Sequence, residues 1–397
     1  MRSLVVSTLL WSILVPVAGA LADDAPTAQV PWLHEGVLLT MKWGAMSHSG
    51  QGTGFKLDQE GNWIGDDGTR MDAYGRPSGS ASGVSQVKVS CIEKGQVFLS
   101  SQGFADMRLL GIPDPLALGE PATLFVPVEG QVDMWVPPAK LAGIKKYDPI
   151  THTVVQNIQW PVGAKQVDAI RATNADENHW LDHVYDRASG LCLHAAESST
   201  GGPPQLKYLA PGDTRAGDTM LTVVDLISVR DQNTPWATEP LPAWCSRFKV
   251  LHYRGTSGIP NSPWGGPPAQ LGLDVSYKNC GQGWLAVDTS GWVMVRGQPS
   301  PATKGIILCG RDQYDSFFAG PAALARLQQN QVLDDDPITK VRTQVTQADG
   351  QSVTITSSSG GILVSHTFDV QTGKLLSYNR TDRQTKVVTT LQLQGEE

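Results

Sequence analysis

The chain has 397 residues, with 31 Lys or Arg against 38 Asp or Glu, which gives a formal net charge of −7. An acidic chain without basic clusters is a poor match for nucleic acid or an anionic membrane surface, so we expect neither partner. A hydrophobic fraction of 40% is ample for a core, which excludes a disordered chain, and 41 Gly with 26 Pro are typical of short strands joined by many turns.

The first 22 residues have the pattern of a secretory signal peptide. Arg2 is the only charge, an apolar run follows from Leu4 to Val17, and Ala20 and Ala22 form the small-residue pattern that a signal peptidase reads. We expect cleavage after Ala22 and a secreted or periplasmic protein. The apolar run is shorter than the roughly 20 residues of a transmembrane helix and no later run is comparable, so we expect no transmembrane segment.

After this segment, alternating and β-branched stretches separated by turn residues predict strands throughout the chain. The strand candidates are residues 36–43, 84–90, 96–100, 151–160, 166–173, 179–186, 191–196, 220–230, 248–253, 292–296 and 305–309. A helix signal stands out only at residues 316–331, which are rich in Ala, Leu and Gln, and predicts one short helix. The run Asp334 to Pro337 is expected to be a solvated break. Five further strand candidates between residues 340 and 393, joined by short turns, predict an antiparallel meander.

One hairpin pattern occurs twice. The segments His183 to His194 and His366 to Ser377 both place a His, an aromatic residue, an Asp, a hydroxyl residue, a Gly and a Leu in the same order. The pattern Asp-x-x-Ser/Thr-Gly suits a bulged hairpin, because Asp accepts backbone N–H bonds and Gly adopts the left-handed conformation. The repeat indicates either an internal duplication or two independent uses of a favourable turn.

We therefore predict an all-β protein whose antiparallel meander sheets form two barrel- or sandwich-like units, with internal duplication as one explanation. The predicted organisation is a signal peptide at 1–22, an N-terminal β domain at 23–231, a Pro/Trp-rich linker and loop at 232–268, and a C-terminal β domain at 269–397.

The five cysteines predict structural disulfides, since exported thiols tend to pair, although buried free thiols are the alternative. Cys280 and Cys309 flank neighbouring strand candidates and are the first candidates for a bridge. There is no Cys-x-x-Cys, so neither structural zinc nor thiol exchange is indicated.

No standard catalytic motif is present. The segment Gly79 to Gly83 carries Ala81 where a serine nucleophile would stand, and the metalloprotease, P-loop and dinucleotide-binding patterns are missing from the sequence. We assign no catalytic residue and favour a non-enzymatic protein. Scattered carboxylates of a glycosidase would leave no motif, so an enzyme stays an alternative.

Histidines and tryptophans supply the candidate ligand-binding residues. On a strand His179 and His183 share a face, and His194 is expected across the hairpin, so the three imidazoles could converge on Zn or Cu or serve as acid and base. The alternative is that they are ordinary sheet residues, and we assign no metal and no cofactor. Trp63 and Trp264 stand among turn residues, where an indole suits a sugar ring or an apolar ligand but also packs loops onto sheets.

The leading functional hypothesis is a secreted or periplasmic non-enzymatic β protein that binds a small molecule, a glycan or an envelope protein through loops or a barrel mouth. One alternative is a secreted polysaccharide-acting hydrolase with an Asp/Glu acid–base pair. A structural, envelope-associated protein without a ligand is the other.

Overall fold

The structure is a computed structural model that describes residues 30–48, 55–57, 63–65, 70–71, 81–106, 115–118, 121–130, 134–144, 147–148, 153–162, 165–175, 179–200, 219–260 and 267–397. Within these residues the protein is nearly all antiparallel β, with two large sheets and two short α-helices. The predicted all-β fold with sandwich-like sheets is confirmed, and within the described part of the chain neither sheet closes into a barrel.

The first sheet is formed by eleven strands. They are β1 (Val37–His48), β5 (Ala81–Glu93), β6 (Gln96–Ala105), β7 (Leu116–Ala117), β8 (Ala122–Pro127), β9 (Tyr147–Asp148), β10 (Thr153–Val162), β11 (Lys165–Ala175), β12 (His179–Asp186), β13 (Cys192–Thr200) and β14 (Thr219–Asp231). Their order is β7-β6-β5-β1-β14-β13-β12-β11-β10-β9, and β8 pairs with β6 outside this path. A separate small sheet contains β2 (Phe55–Leu57), β3 (Trp63–Gly65) and β4 (Arg70–Met71).

The second sheet is formed by ten strands. They are β15 (Val250–Gly258), β16 (Ala269–Cys280), β17 (Trp284–Val295), β18 (Gln298–Gly310), β19 (Val332–Asp335), β20 (Arg342–Ala348), β21 (Ser352–Ser359), β22 (Ile362–Asp369), β23 (Leu375–Asp382) and β24 (Val388–Glu396). Their order is β18-β17-β16-β15-β24-β23-β22-β21-β20-β19. The predicted C-terminal meander is therefore confirmed as β20 to β24.

The two sheets share one strand order. Replacing β1 by β15, β5 to β7 by β16 to β18, and β9 to β14 by β19 to β24 converts the first path into the second. The register is also repeated: Ile170 pairs with Tyr185 on β11 and β12, and Val353 pairs with Phe368 on β21 and β22. In both hairpins the register shifts directly before this aromatic residue, at Tyr185 and at Phe368.

Contacts around the repeated turn are equivalent as well. The N–H of Val136 donates to the carbonyl of Gly190 at 2.9 Å, and the N–H of Ala319 donates to that of Gly373 at 2.8 Å. In each case a short helix follows that begins with Pro, α1 (Pro138–Gly143) or α2 (Pro321–Leu324). Independent use of one turn does not require a shared strand order and shared neighbours, so these observations favour internal duplication.

The helix expected between residues 316 and 331 is present as α2, but it spans only Pro321–Leu324. Pro at its start fixes a helical φ and lacks an N–H that the first turn could not use. Helix α1 and a 3-10 helix at Ala243–Ser246 were not predicted from the sequence. Among the residues that the structure describes, no helix has the length and hydropathy needed to cross a bilayer.

The chain divides into two compact units. Unit 1 comprises Met1–Leu33, Leu39–Gln86 and Val126–Val229, and unit 2 comprises His34–Leu38, Val87–Phe125 and Arg230–Glu397. Unit 2 therefore contains the whole second sheet together with β6, β7, most of β8, the second half of β5, the start of β1 and the end of β14. The range 232–268, predicted as linker and loop, contains strand β15.

The core of unit 2 lies on one face of the second sheet. Tyr253, Leu285 and Phe368 point into it and are at most 1% exposed, and Phe248 and Leu324 cover them from the segments outside the sheet. Burying each such side chain stabilises the folded chain by roughly 1.5–3 kcal/mol. In unit 1, by contrast, β11 to β13 carry two separate apolar clusters, and both include side chains that are less than 5% exposed.

All five cysteines are free. Cys280 on β16 pairs with Leu285 on β17, and Leu285 pairs with Cys309 on β18, so a whole strand separates the two thiols. Two strand spacings amount to about 9–10 Å, beyond the roughly 7 Å that a disulfide can bridge. The predicted Cys280–Cys309 bridge is therefore wrong. Burial raises the pKa of Cys309 to about 12, which keeps this thiol protonated and unreactive at neutral pH.

Candidate functional site

The structure does not bring the predicted histidines together. His183 pairs with Ala195, and His194 pairs with Val184, so the two imidazoles leave the sheet on opposite faces. Convergence of His183 and His194 is therefore wrong, because the hairpin closes in a register one residue away from the one expected. His194 instead contacts Asp225, with 2.6 Å between Nδ1 and Oδ1.

The other predicted ligand-binding residues receive no further support. His179 lies on β12 and Trp63 on β3, but their side chains fall outside the described part of the structure, as does Trp264 altogether. Within the residues that are described, no three His, Cys, Asp or Glu side chains are grouped as ligands of one metal ion.

The most exposed strand of the second sheet is its edge strand, β18. Ile306 is 65% exposed and Ile307 is 40% exposed, although they lie on opposite faces of the sheet. Ile306 stands beside Asp288 on β17, and Ile307 stands beside the fully buried Val287. A large apolar side chain exposed on both faces of an edge is the arrangement that natural sheets avoid unless something pairs there.

The backbone of β18 offers hydrogen-bonding groups on its outer side. The N–H of Leu308 donates to Thr123 Oγ1 at 3.3 Å, and the N–H of Gly310 donates to Gln313 Oε1 at 2.7 Å, so both point away from β17. Because backbone groups alternate along a strand, those of Lys304 and Ile306 point outward too. No described residue pairs with them.

The free part of this edge is short and well delimited. Pro299 and Pro301 lack an N–H and stand before it, and Leu308 is bonded to Thr123 after it. Residues 302–307 therefore form the only stretch of β18 with outward backbone groups open to a new strand, among the residues described. We name this stretch the β18 edge.

A buried ion pair anchors the chain just beyond the β18 edge. Lys88 Nζ on β5 lies 3.1 Å from Asp312 Oδ1, and their side chains are 8% and 0% exposed. The same carboxylate oxygen accepts the N–H of Thr234 at 2.5 Å. Burial lowers the pKa of Lys88, and the carboxylate of Asp312 opposes that shift. The pair therefore ties the segment that follows β18 to β5 and to Thr234.

A second ionic group lies nearby in unit 2. Arg230 at the end of β14 donates to Asp334 and to Asp336, with N–O distances of 2.9 and 2.8 Å. Asp336 is 2% exposed, and although burial raises its pKa, hydrogen bonds from Thr339 and Arg230 outweigh burial, so the pKa lies below its ordinary value. The expectation that residues 334–337 are a solvated break is therefore wrong.

The outer face of the second sheet is polar and half-exposed. One row across seven strands consists of Gln344, Thr356, Ser365, Asn379, Thr390, Thr256 and Gln270. Neighbours in it bond to each other, as Thr356 Oγ1 does with Ser365 Oγ at 2.9 Å. This is the ordinary solvent face of an antiparallel sheet, since its polar groups satisfy one another.

Trp292 lies on this face, and it is already packed. The indole of Trp292 lies against Gly272, where a Cβ would overlap the ring, and the guanidinium of Arg254 stands 5.5 Å from the ring centroid. Arg254 also donates to Asp274 at 2.7 Å, and Asp274 contacts His252 at 2.8 Å. Because these side chains hold one another, the β18 edge and not the flat face offers unused binding groups.

Sequence reasoning missed the residues of the β18 edge. The stretch 305–309 was predicted as a strand, but nothing local in it tells an edge from a central strand. The signals present in the sequence were Pro299 and Pro301, which cannot serve in a central strand, and the adjacent apolar pair Ile306 and Ile307, which breaks the alternation of a half-buried strand.

Comparisons with known proteins identify no family for this chain. No family model matches it, and no curated protein matches it. A crystal structure of MucB in complex with MucA(peri) is aligned over 89% of this chain and 87% of that chain, at 10% identity and a TM-score of 0.20. A TM-score this low does not establish a common fold, so neither fold nor function is carried over from MucB.

Proposed function

We propose that this chain is an exported, non-catalytic binding protein that takes an extended segment of a protein partner onto the β18 edge. The observation that carries the proposal is the outward backbone of Lys304 and Ile306, with which no described residue pairs, together with the 65% exposure of the Ile306 side chain. A segment added in an extended conformation would supply the missing backbone partners and cover the isoleucines. Export rests on the signal-peptide pattern of residues 1–22.

The structure gives this edge the properties that strand addition needs. On the inner side, residues 303–310 pair with β17 without interruption, after a register shift at Gly291 and Trp292. The end of the strand is held by Gln313 and by the buried Lys88–Asp312 pair. A rigid template lowers the entropy cost of ordering the incoming segment. Main-chain bonds would then provide affinity, and the side chains on either face would provide selectivity.

The other ligand classes expected from the sequence have less to support them. A glycan or small-molecule site would require free polar groups or an open aromatic face, and on the second sheet the candidates Trp292, Arg254 and Asp274 are engaged with one another. A polysaccharide hydrolase would require two carboxylates facing one cleft. Among the described residues, the buried carboxylates of Asp182, Asp312 and Asp336 form ion pairs with Arg171, Lys88 and Arg230 instead.

The test is a selection of random linear peptides, displayed on phage, against the purified full chain. Peptides that bind the β18 edge should lose about tenfold or more in affinity on Ile306→Pro, which removes an outward N–H and blocks the ladder. Ile306→Thr keeps the N–H and should lose less. Because residue 306 is exposed and the bonds to β17 come from its neighbours, neither change should unfold the chain.

Val332→Thr is the matched control. Val332 is an exposed apolar residue, 43% exposed, on the opposite edge strand β19, and its replacement should leave peptide binding unchanged. Enriched peptides that bind Ile306→Pro as well as the parent chain, or a selection that enriches no peptide at all, would refute the proposal.

A further inference from the structure

The β18 edge also defines which residues an incoming strand would meet. Each described strand pair in the second sheet is antiparallel, and an antiparallel pair is slightly more stable per residue than a parallel one. We therefore consider a segment that runs antiparallel to β18. It would stand opposite Ile306 first, then opposite Gly305, then opposite Lys304.

At Gly305 the edge leaves room for a large side chain. A Cβ added to Gly305 would have no atom within 4 Å, and the glycine lies between Thr303 and Ile307 on the core side of the strand. Its cross-strand neighbour on β17, Thr289, is 4% exposed. A large apolar side chain opposite Gly305 would fill this space and cover Ile307, which is 40% exposed.

At Lys304 the edge offers an exposed positive charge. Lys304 is exposed, its cross-strand neighbour is Ser290, and no described carboxylate forms an ion pair with it. Opposite charges on directly paired residues stabilise a sheet and like charges destabilise it. An acidic residue is therefore the complement of Lys304.

A second copy of this chain does not meet these requirements. Two β18 edges paired about Gly305 would place Gly305 opposite Gly305 and Lys304 opposite Ile306, with no acid for either lysine. The edge fits a short segment of a different protein.

We infer that the partner segment carries, from its N- to its C-terminal side, an apolar residue, a large apolar residue and an acidic residue, which pair with Ile306, Gly305 and Lys304. This inference rests on the proposed function and specifies its partner. The backbone of the segment's first and third residues would exchange hydrogen bonds with the backbone of Ile306 and Lys304. The side chain of its second residue would fill the space beside Gly305.

The peptides selected on the full chain test this pattern, provided that they are first sorted by their dependence on Ile306. The Ile306-dependent peptides should share the apolar, large apolar and acidic order. On the variant Lys304→Glu, the preference at the third position should change from acidic to basic, and a parent peptide should bind about tenfold more weakly. On Gly305→Val, the preference at the second position should change from large to small.

Lys165→Glu is the matched control for the charge change, since Lys165 is an exposed strand residue of the first sheet. It should leave the selected sequences unchanged. If Ile306-dependent peptides appear without the pattern, or keep the acidic residue on Lys304→Glu, the inference fails while the proposed function stands. If no selected peptide depends on Ile306, the proposed function itself fails.

Discussion

The two large sheets have the same strand order, but their corresponding edge strands differ in length and in the side chains that they expose. In the first sheet β6 is followed by β7, a strand of two residues, and is also paired by β8. In the second sheet the corresponding edge is β18, a strand of 13 residues with isoleucines exposed on both faces. A duplicated topology does not dictate what happens at an edge, because the edge depends on one strand's length and side chains.

The two sheets also differ in how deeply equivalent side chains on their faces are buried. Val184 on β12 is fully buried, whereas its equivalent on β22, Thr367, is half-exposed and bonds to Thr354 at 3.0 Å. The second sheet therefore places its apolar side chains on one face, and unit 1 places them on both. If duplication produced the two sheets, the copies now differ. The second sheet has a polar face and an edge strand, β18, that water or a partner can reach.

The largest expected effect concerns the anchor of the second sheet's open edge. Asp312→Ala would leave Lys88 buried without its carboxylate and would also remove the acceptor for the N–H of Thr234. Breaking one partner of a buried pair destabilises a protein by about 3–5 kcal/mol. We expect a loss of this size in the free energy of unfolding, measured with a chemical denaturant.

Asp335→Ala is the matched control, because Asp335 is exposed and should change the stability by less than about 0.5 kcal/mol. The double variant Lys88→Met, Asp312→Leu should recover much of the loss, since no unpaired charge remains. Equal stability of Asp312→Ala and Asp335→Ala would show that the pair does not anchor the edge.

The next largest effect is a dependence of stability on pH, which we expect from a buried histidine of the second sheet. His366 is buried beside Phe368 and Tyr378, and burial lowers its pKa to about 4 from an ordinary value of 6.5. The unfolded chain therefore binds a proton between pH 6.5 and 4 that the folded chain does not. Stability should fall as the pH falls through this range, by on the order of 3 kcal/mol.

Replacing His366 should remove the part of the pH dependence of stability that this side chain causes. We expect His366→Leu to flatten the plot of unfolding free energy against pH between 4 and 6.5, even if the variant is less stable at pH 7. His183→Leu, the equivalent change on β12, provides the comparison from the first sheet. A slope for His366→Leu equal to that of the parent chain would contradict the prediction.

Most of the fold could be predicted from the sequence because its signals are local. Alternation with a period of two and Gly-containing turns define the strands of the meander, and the repeated turn at Asp186 and Asp369 indicated a duplication. What decides between duplication and coincidence is not local. The shared strand order and the equivalent bonds of Gly190 and Gly373 become visible only when distant segments are paired.

The candidate site was harder to predict for the same reason. Lys88 and Asp312 are far apart in sequence, and neither stands in a motif, so nothing local predicts that they meet. The histidine interpretation failed because a shift of one residue in register moves a side chain to the other face of a sheet, as His183 and His194 show. Which strand ends a sheet is likewise a property of the complete pairing.

The smallest expected effect concerns the repeated turn, and it tests whether the turn contributes equally to stability in both sheets. Gly190 and Gly373 adopt φ of 75° and 70°, and a Cβ on either would overlap a carbonyl oxygen, that of Val136 or that of Ala319. Each Ala substitution should therefore destabilise its sheet through left-handed strain and through the overlap, by about 2 kcal/mol. Denaturant unfolding of both variants measures the two losses.

Gly350→Ala separates the two causes, because Gly350 has a φ of 83° but no atom within 4 Å of an added Cβ. This control carries the strain without the overlap, so it should lose less stability than either of the other variants. Equal losses for Gly190→Ala and Gly373→Ala would strengthen the case that one ancestral hairpin served in both sheets. A loss at Gly373 alone, with Gly190→Ala no worse than the control, would mean that the repeated turn is packed tightly only in the second sheet.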